Sequence, residues 1–241
     1  MKALIGLHVA GLSKRYGRVT ALDRVSFSLR NGEVLGLIGP NGAGKTTLFE
    51  CLAGLLPSDA GSISIDNAVV AASERNHHLF YLPDAIAPWP AQPVRWALDF
   101  TRDFFGSSGT GIEGVIARLD LAAMLDARIG TLSKGQRTRV LLTIGLLTPQ
   151  RILLVDEPFD GLDLRQGRDV AATLREHAAN GRTLFLSIHQ IHDAARMCDR
   201  FILLSLGRIR GEGTLDELTA LASRPGAPRV SDLEDVFLAL T

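Results

Sequence analysis

The chain has 241 residues, of which 46% are hydrophobic and 22% are charged. These proportions are ordinary for a globular α/β protein and exclude a disordered chain. The 26 basic residues balance the 26 acidic ones, so the sequence lacks the overall basic charge typical of a nucleic-acid-binding protein. The two cysteines, Cys51 and Cys198, have no metal-type spacing, and we predict buried, reduced thiols in a cytosolic protein.

The apolar runs are short compared with the ~20 residues that a membrane-spanning helix needs. The run at Val140–Leu147 is among the longest, and the one at Met1–His8 is too short for the apolar part of a signal peptide. We therefore expect the chain to be soluble by itself. If it works at a membrane, another chain must provide the membrane part.

The first third of the chain predicts strands and turns. Segments near Leu4–Val9 and Ala21–Leu29 alternate apolar and polar residues, as half-buried antiparallel strands do. The continuous apolar run Val34–Ile38 predicts a buried parallel strand. A helix from about Lys45 to Leu55 and a short strand at Gly61–Asp66 are expected next.

The middle of the chain has a different character. Helical patterns run through Val94–Phe105, Ile112–Leu121 and Ser133–Leu147, and a glycine- and serine-rich stretch at 106–111 predicts a flexible connector. We interpret residues 83–149 as a helical subdomain inserted into an α/β core.

Strands and helices alternate again after the insertion, which predicts a mainly parallel sheet with helices on its faces. The predicted elements are strand Arg151–Val155, helix Leu164–Ala179, strand Thr183–Ile188, helix Ile191–Cys198 and strand Phe201–Ser205. Residues 1–82 and 150–215 are thus assigned to the core. Residues 216–241 are predicted to form a helical tail with a break at Arg224-Pro225-Gly226.

A glycine-rich loop carries the strongest chemical signal. Its sequence is Gly39-Pro40-Asn41-Gly42-Ala43-Gly44-Lys45-Thr46, which fits the P-loop pattern between a buried strand and a helix. Such a loop turns backbone N–H groups towards phosphates, and the helix N-terminus adds partial positive charge. Lys45 is expected to reach the β- and γ-phosphates of ATP, Thr46 to bind Mg²⁺, and Thr47 to bind the α-phosphate.

Two acidic residues follow the second buried strand. Ligands of open α/β sheets bind at the carboxyl ends of the strands, so Asp156 is expected to face the Mg²⁺ held by Thr46. Glu157 is one residue further and is expected to face the water that attacks the γ-phosphate. Alone, this pair before Pro158 would predict a solvated turn; together with the P-loop it predicts a catalytic site.

Further motifs bring a specific resemblance. Leu132-Ser133-Lys134-Gly135-Gln136 resembles the LSGGQ signature of ABC-type ATPases, with Lys134 in place of the first glycine. Arg151–Pro158 resembles the extended Walker B strand of that family, Gly161-Leu162-Asp163 its D-loop, and His189 its switch histidine. The resemblance covers nearly the whole chain. It implies a P-loop NTPase (RecA-like) core with an N-terminal antiparallel β subdomain and an inserted α-helical subdomain.

The resemblance also implies roles for single residues. Ser133, Gly135 and Gln136 would face the ATP of a second subunit in a head-to-tail dimer around two nucleotides, although Ser133 is equally expected as a plain helix N-cap. Asp163, in the segment that resembles the D-loop, would also be a nucleotide-binding residue. His189 would hydrogen-bond the γ-phosphate. Tyr16 would stack on adenine, although an aromatic residue near an edge strand more often serves packing.

One departure from the family's pattern and two resemblances bear on the subtype. Asp84 stands where the family has a glutamine, and it keeps an oxygen that could sense Mg²⁺ or the attacking water. The segment Tyr81–Asp84 and the ending Leu233–Thr241 resemble ATPase subunits of ABC-2 type exporters. Trp89, among prolines, lies where the family docks its membrane subunit, and docking and simple burial are both open.

The function implied is an ATP-hydrolysing subunit that powers a separate transmembrane permease, with export favoured. It would dimerise with itself or with a paralogous ATPase subunit, at the cytoplasmic face of the cell membrane. A soluble ABC-type ATPase acting on ribosomes or damaged DNA is the alternative, but such proteins generally have two cassettes or long insertions. A binder that holds ATP without hydrolysing it is disfavoured by the intact Lys45, Asp156, Glu157 and His189.

Overall fold

Two β-sheets meet in the structure, a computed structural model that describes residues 5–84, 86–106, 112–189, 191–223 and 232–241. The strands are β1 (Ile5–Tyr16), β2 (Val19–Arg30), β3 (Val34–Ile38), β4 (Ala60–Ile65), β5 (Ala68–Val69), β6 (Leu79–Leu82), β7 (Ile152–Asp156), β8 (Thr183–Ser187), β9 (Arg200–Ser205) and β10 (Arg208–Gly213). The α-helices are α1 (Lys45–Ala53), α2 (Val94–Phe105), α3 (Ile112–Arg118), α4 (Lys134–Leu147), α5 (Leu164–Ala179), α6 (Ile191–Met197), α7 (Leu215–Ala222) and α8 (Leu233–Leu240). Short 3-10 helices cover Ala72–His77, Ala122–Met124 and Ile129–Thr131.

The larger sheet has the strand order β10-β9-β3-β8-β7-β6 and is parallel except for β10, which pairs antiparallel with β9. Every residue of β3, β7, β8 and β9 is buried, because both faces of this sheet are covered. This explains why the strands have continuous apolar sequences rather than alternating ones. The parallel arrangement brings the carboxyl ends of β3, β6, β7 and β8 to one edge.

The smaller sheet is antiparallel, with the order β2-β1-β4-β5. Its apolar face packs against α1 and one face of the larger sheet in a single hydrophobic cluster. Phe185 of β8 lies at the centre of that cluster, with ring centroids 5.3 Å from Phe27 and 4.9 Å from Phe49. The packing fixes the start of α1, and therefore the loop before it, relative to both sheets.

Helices cover the opposite face of the larger sheet in a second cluster. Within it, α4 runs so close to the sheet that a Cβ atom added to Gly145 would lie 2.4 Å from Leu82 Cδ1. Three of these helices begin with complete capping boxes: Ser133 with Gln136, Asp163 with Gln166, and Thr214 with Glu217. These caps set the first residues of α4, α5 and α7.

The predicted α/β class, with a mainly parallel sheet, an antiparallel β subdomain and helices, is confirmed. Several boundaries were wrong. The helix predicted for Ile112–Leu121 ends at Arg118, and Asp120 has the left-handed φ of 51° that stops a helix. Strand β10 was not predicted, because its sequence contains two glycines and three charged residues and has no apolar alternation. Cys51 is buried as predicted, but Cys198 is only partly buried.

Some predictions lie outside the described residues: the connector beyond Gly106 and the break at 224–226. Within the described ranges, the helices are too short or too polar to cross a bilayer.

Candidate functional site

A cavity of about 660 Å³ opens at the edge of the larger sheet where the parallel strands end. It brings together predicted residues that are far apart in the sequence. These residues are Pro40, Asn41, Gly42, Gly44, Lys45, Thr46, Thr47, Asp84, Asp156, Glu157 and His189. The remaining loop residues, Gly39 and Ala43, lie within the same loop but do not line the cavity.

The glycine-rich loop has a backbone that requires glycine. Gly42 and Gly44 have left-handed φ values of 79° and 106°, which side-chain-bearing residues rarely adopt. A Cβ atom on Gly39 would lie 2.4 Å from the Leu204 carbonyl oxygen, so the loop can pass β9 there with a glycine alone. The result is a tight turn leading directly into α1, the arrangement that cradles phosphates.

The ammonium group of Lys45 is held inside the loop. Its Nζ donates hydrogen bonds to the carbonyl oxygens of Gly39, at 2.8 Å, and Pro40, at 3.4 Å. The side chain is 7% exposed. A buried cation with carbonyl partners is ready to exchange them for phosphate oxygens, so this wall of the cavity fits a triphosphate.

Asp156 ends β7 beside Thr46. Its Oδ2 accepts a hydrogen bond from the Thr46 hydroxyl at 3.1 Å and one from Tyr81 Oη at 3.4 Å, while Ser187 Oγ donates to Oδ1. A carboxylate and a hydroxyl are hard oxygen donors of the kind Mg²⁺ uses when phosphates and water complete its shell. Among the described residues no cluster of three or more His, Cys, Asp or Glu side chains could bind a metal by itself.

Glu157 follows Asp156 in a strained conformation. Its φ of 52° is left-handed, which is uncommon outside glycine and turns the side chain into the cavity. Burial raises the pKa of its carboxyl group to about 7, although Lys45 opposes the rise. Oε2 accepts a hydrogen bond from the backbone N–H of His189 at 3.1 Å. The site therefore holds a carboxyl group able to take up or release a proton near neutral pH.

The other predicted residues do not line this cavity. Ser133 and Gln136 cap α4, with Gln136 N–H donating to Ser133 Oγ at 3.3 Å, and Asp163 accepts from Gln166 N–H at 2.8 Å to cap α5. Gly135 packs against the turn before α5. Tyr16 is 48% exposed at the end of β1, with Lys14 Nζ 5.8 Å from its ring centroid. Ser133, Gly135, Gln136 and Asp163 therefore do not line the cavity of their own subunit. Tyr16 does not line it either, but its strand partner Val19 does.

Sequence reasoning missed part of the site. Tyr81 and Ser187 hold Asp156, and the position of Ser187 at the carboxyl end of a strand beside β7 was an available signal. Further lining comes from the start of β2, the segment after Glu157, the residue after β8 and the turn between β9 and β10. These residues are Val19, Thr20, Ala21, Phe159, Asp160, Ile188, Leu206 and Gly207.

The chain is similar to known proteins over most of its length. Residues 22–160 match the ABC transporter family. The Nod factor export ATP-binding protein I of a Rhizobium species is 34% identical over 87% of this chain and 71% of its own length. Its counterpart from Burkholderia orbicola is 35% identical over 84% and 68%.

A solved structure described as an ATP-binding subunit of an ABC transporter superposes with a TM-score of 0.87 at 28% identity. That match covers 98% of this chain and 99% of the other. Together with the phosphate loop, Asp156 and Glu157 at one cavity, these similarities show that the chain belongs to the ABC transporter family and is one of its ATP-binding ATPases.

Proposed function

We propose that this ATPase powers a separate transmembrane permease and that the transport direction is export. The observation that carries the proposal is that the phosphate loop, Asp156 and Glu157 share one cavity while Ser133 and Gln136 lie outside it. The relatives named Nod factor export ATP-binding protein I support export. The transported substrate would be determined by the permease.

In this proposal the residues of the cavity have separate roles in binding and hydrolysing ATP. Lys45 and the loop N–H groups bind the β- and γ-phosphates, and Thr47 binds the α-phosphate. Thr46 and Asp156, with Asp84 nearby, would hold Mg²⁺, which supplies charge neutralisation at the phosphates when bound. Glu157 accepts the proton of the attacking water, and His189 hydrogen-bonds the γ-phosphate.

The second half of each ATP site would come from another subunit. The N-terminus of α4 carries the partial positive charge of a helix start, which favours an anion, while Ser133 Oγ caps the Gln136 N–H. A head-to-tail dimer, of two identical chains or of paralogous ATPases, would place this terminus and Asp163 at the partner's nucleotide. Tyr16, exposed at the end of β1, would stack on adenine.

The permease would attach at an aromatic surface formed by Trp89, Trp96, Phe100 and Phe104. Each side chain is at least 38% exposed, and neighbouring ring centroids are 5.1–5.9 Å apart. Exposed contiguous aromatic surface is typical of an interaction site. The chain would then lie peripherally at the cytoplasmic face of the membrane, with no nucleic-acid partner.

Trp89→Ala tests the attachment. Loss of a central aromatic anchor typically weakens a protein interface by about 2 kcal/mol or more. We expect transport-coupled ATP hydrolysis and copurification with the permease to fall by about tenfold or more. Hydrolysis by the isolated subunit should stay within about twofold of the unmodified chain, because Trp89 lies outside the ATP cavity. Leu238→Ala, at a 72% exposed residue of α8, is the matched control and should change neither. Equal transport in both variants would refute the assignment.

The pH dependence of hydrolysis tests the role of Glu157. Because burial raises its pKa to about 7, the proton-accepting form gains population as pH rises. The rate at subsaturating ATP, which reports the ionisation of the free enzyme, should therefore increase about tenfold between pH 6 and pH 8. The residual rate of Glu157→Gln should lack this rise. ATP affinity measured over the same pH range shows how much of any change comes from binding and how much from the hydrolysis step. A parallel rise in the variant would assign the titration to another group.

Hydrolysis assays with and without the membrane protein encoded nearest to this gene would test the function as a whole. We expect that protein to be a multi-spanning permease that copurifies with the chain and changes its ATPase rate. Robust hydrolysis that responds to ribosomes or DNA, and to no membrane protein, would favour the soluble ATPase instead.

A further inference from the structure

Three charged side chains form a small cluster beside the ATP cavity. Lys134 Nζ, at the first residue of α4, donates a hydrogen bond to Asp160 Oδ2 and lies 3.6 Å from Asp84 Oδ2. The three side chains are 33–49% exposed, so the cluster is partly shielded from water. The hydrogen bond with Asp160 raises the pKa of the Lys134 ammonium group above its usual value, so the group stays charged.

The cluster joins residues from two separate segments of the chain. Asp84 brings a negative charge to the cavity wall, and Lys134 brings a positive charge beside it. The two residues are 50 positions apart but meet in space. The Lys134 ammonium group thus lies between two carboxylates of the cavity wall.

The charge of the cavity indicates what the contact between Lys134 and the two carboxylates does. Asp84, Asp156, Glu157 and Asp160 all line it, and Lys45 is the cation among the described lining residues. Carboxylates that neither a metal ion nor a nearby cation neutralises oppose the entry of a triphosphate. The Lys134 ammonium group, held against Asp84 and Asp160, reduces that repulsion, and does so most strongly at low salt.

The backbone holds Lys134 in this position. A Cβ atom on Gly135 would lie 2.2 Å from the Gly161 carbonyl oxygen, so α4 begins in direct contact with the turn that carries Asp160. Thr138 Oγ1 also donates to the Asp160 carbonyl oxygen at 3.3 Å. The contact between Lys134 and Asp160 is therefore built into the packing of α4 and does not depend on the two side chains alone.

We propose that Lys134 is a positioning residue of its own subunit's ATP site, where its ammonium group neutralises Asp84 and Asp160 and so permits the anionic nucleotide to bind. The proposal rests on ATP binding in this cavity. It is independent of the permease and of the direction of transport. It also predicts that the cost of losing Lys134 depends on the charge of Asp160.

A double-mutant cycle on the full chain tests this. Binding of a fluorescent ATP analogue with Mg²⁺ is measured at low salt and at protein concentrations where light scattering finds monomers. Lys134→Met, which keeps most of the side-chain length, should weaken binding about fivefold. Asp160→Asn, which removes the carboxylate that accepts from Lys134, should bind as tightly as the unmodified chain or more tightly, and the double variant should return to within about twofold of it.

Two further measurements separate this role from a structural one. The Lys134→Met effect should shrink at 1 M salt, where a packing defect would persist. Arg137→Met, on the same helix but outside the lining of the ATP cavity, should bind normally. Urea unfolding of each variant identifies any that fails to fold, and Lys134→Gln then replaces it.

The proposal is overturned if Lys134→Met binds normally at low salt, if Asp160→Asn gives no rescue, or if the effect appears in dimers alone. The last outcome would assign Lys134 to the partner's nucleotide. If the unmodified chain did not bind the analogue at all, the ATP site itself would be wrong, which is a separate result.

Discussion

Glu157→Gln is expected to slow ATP hydrolysis by about 100-fold or more, because loss of a general base typically costs that much. The amide cannot accept the proton of the attacking water, yet it has nearly the shape of the carboxyl group. ATP should therefore still bind, and the variant should accumulate as a closed dimer with trapped nucleotide. Single-turnover hydrolysis and light scattering in the presence of Mg²⁺ and ATP measure the two effects.

The same substitution should not destabilise the fold at alkaline pH. Burial raises the pKa of Glu157 to about 7, above that of an unfolded glutamate, so the folded state holds the proton more tightly. The contribution of this group to stability is therefore present at low pH and is lost as pH rises through 7. At pH 8 the ionised carboxylate opposes folding and the amide does not, so the variant should melt no earlier than the unmodified chain.

Glu176→Gln provides the control, since Glu176 pairs with Arg118 on the surface and does not line the ATP cavity. Its hydrolysis rate should match that of the unmodified chain. Rapid turnover by Glu157→Gln, with the control unchanged, would remove Glu157 from its assigned role.

The residues around Glu157 show how far sequence reasoning reaches in this protein. The phosphate loop, β3, β7 and the helices α2 and α5 follow from local patterns: a glycine motif, continuous apolar runs and the 3.6-residue period. Asp156 and Thr46 could be paired in advance because parallel strands end at the same edge of a sheet. Their hydrogen bond at 3.1 Å agrees with that argument.

Contacts that depend on turns could not be predicted from local sequence patterns. The Leu206–Gly207 turn reaches the cavity because β10 folds back beside β9, and a strand of sequence Arg-Ile-Arg-Gly-Glu-Gly has no apolar alternation to predict it. Both departures from the family pattern, Asp84 and Lys134, were visible in the sequence. Their contact was not, because it depends on how closely α4 packs against the Asp160–Gly161 turn.

Lys45→Ala should abolish nucleotide binding in practice, with a loss of about 100-fold or more in ATP affinity. Hydrogen bonds to charged groups contribute about 1.5–3 kcal/mol each, and Lys45 is placed to reach two phosphates. Its loss also leaves the carboxylates of the cavity without their main cation. Because Lys45 lowers the pKa of Glu157, removing it should raise that pKa further above 7.

Lys45→Met separates charge from packing, since it keeps most of the buried side-chain volume and removes the ammonium group. Both variants should lose ATP affinity to the same extent, measured by titration calorimetry with Mg²⁺, while Lys45→Met should keep the urea midpoint of the unmodified chain more closely. The two carbonyl oxygens that accept from Nζ, on Gly39 and Pro40, can turn to water in the open cavity, so the fold survives the loss. If Lys45→Met bound ATP normally, the buried ammonium group would be a structural feature of the loop, and phosphate binding would have to come from the backbone N–H groups and the α1 N-terminus alone.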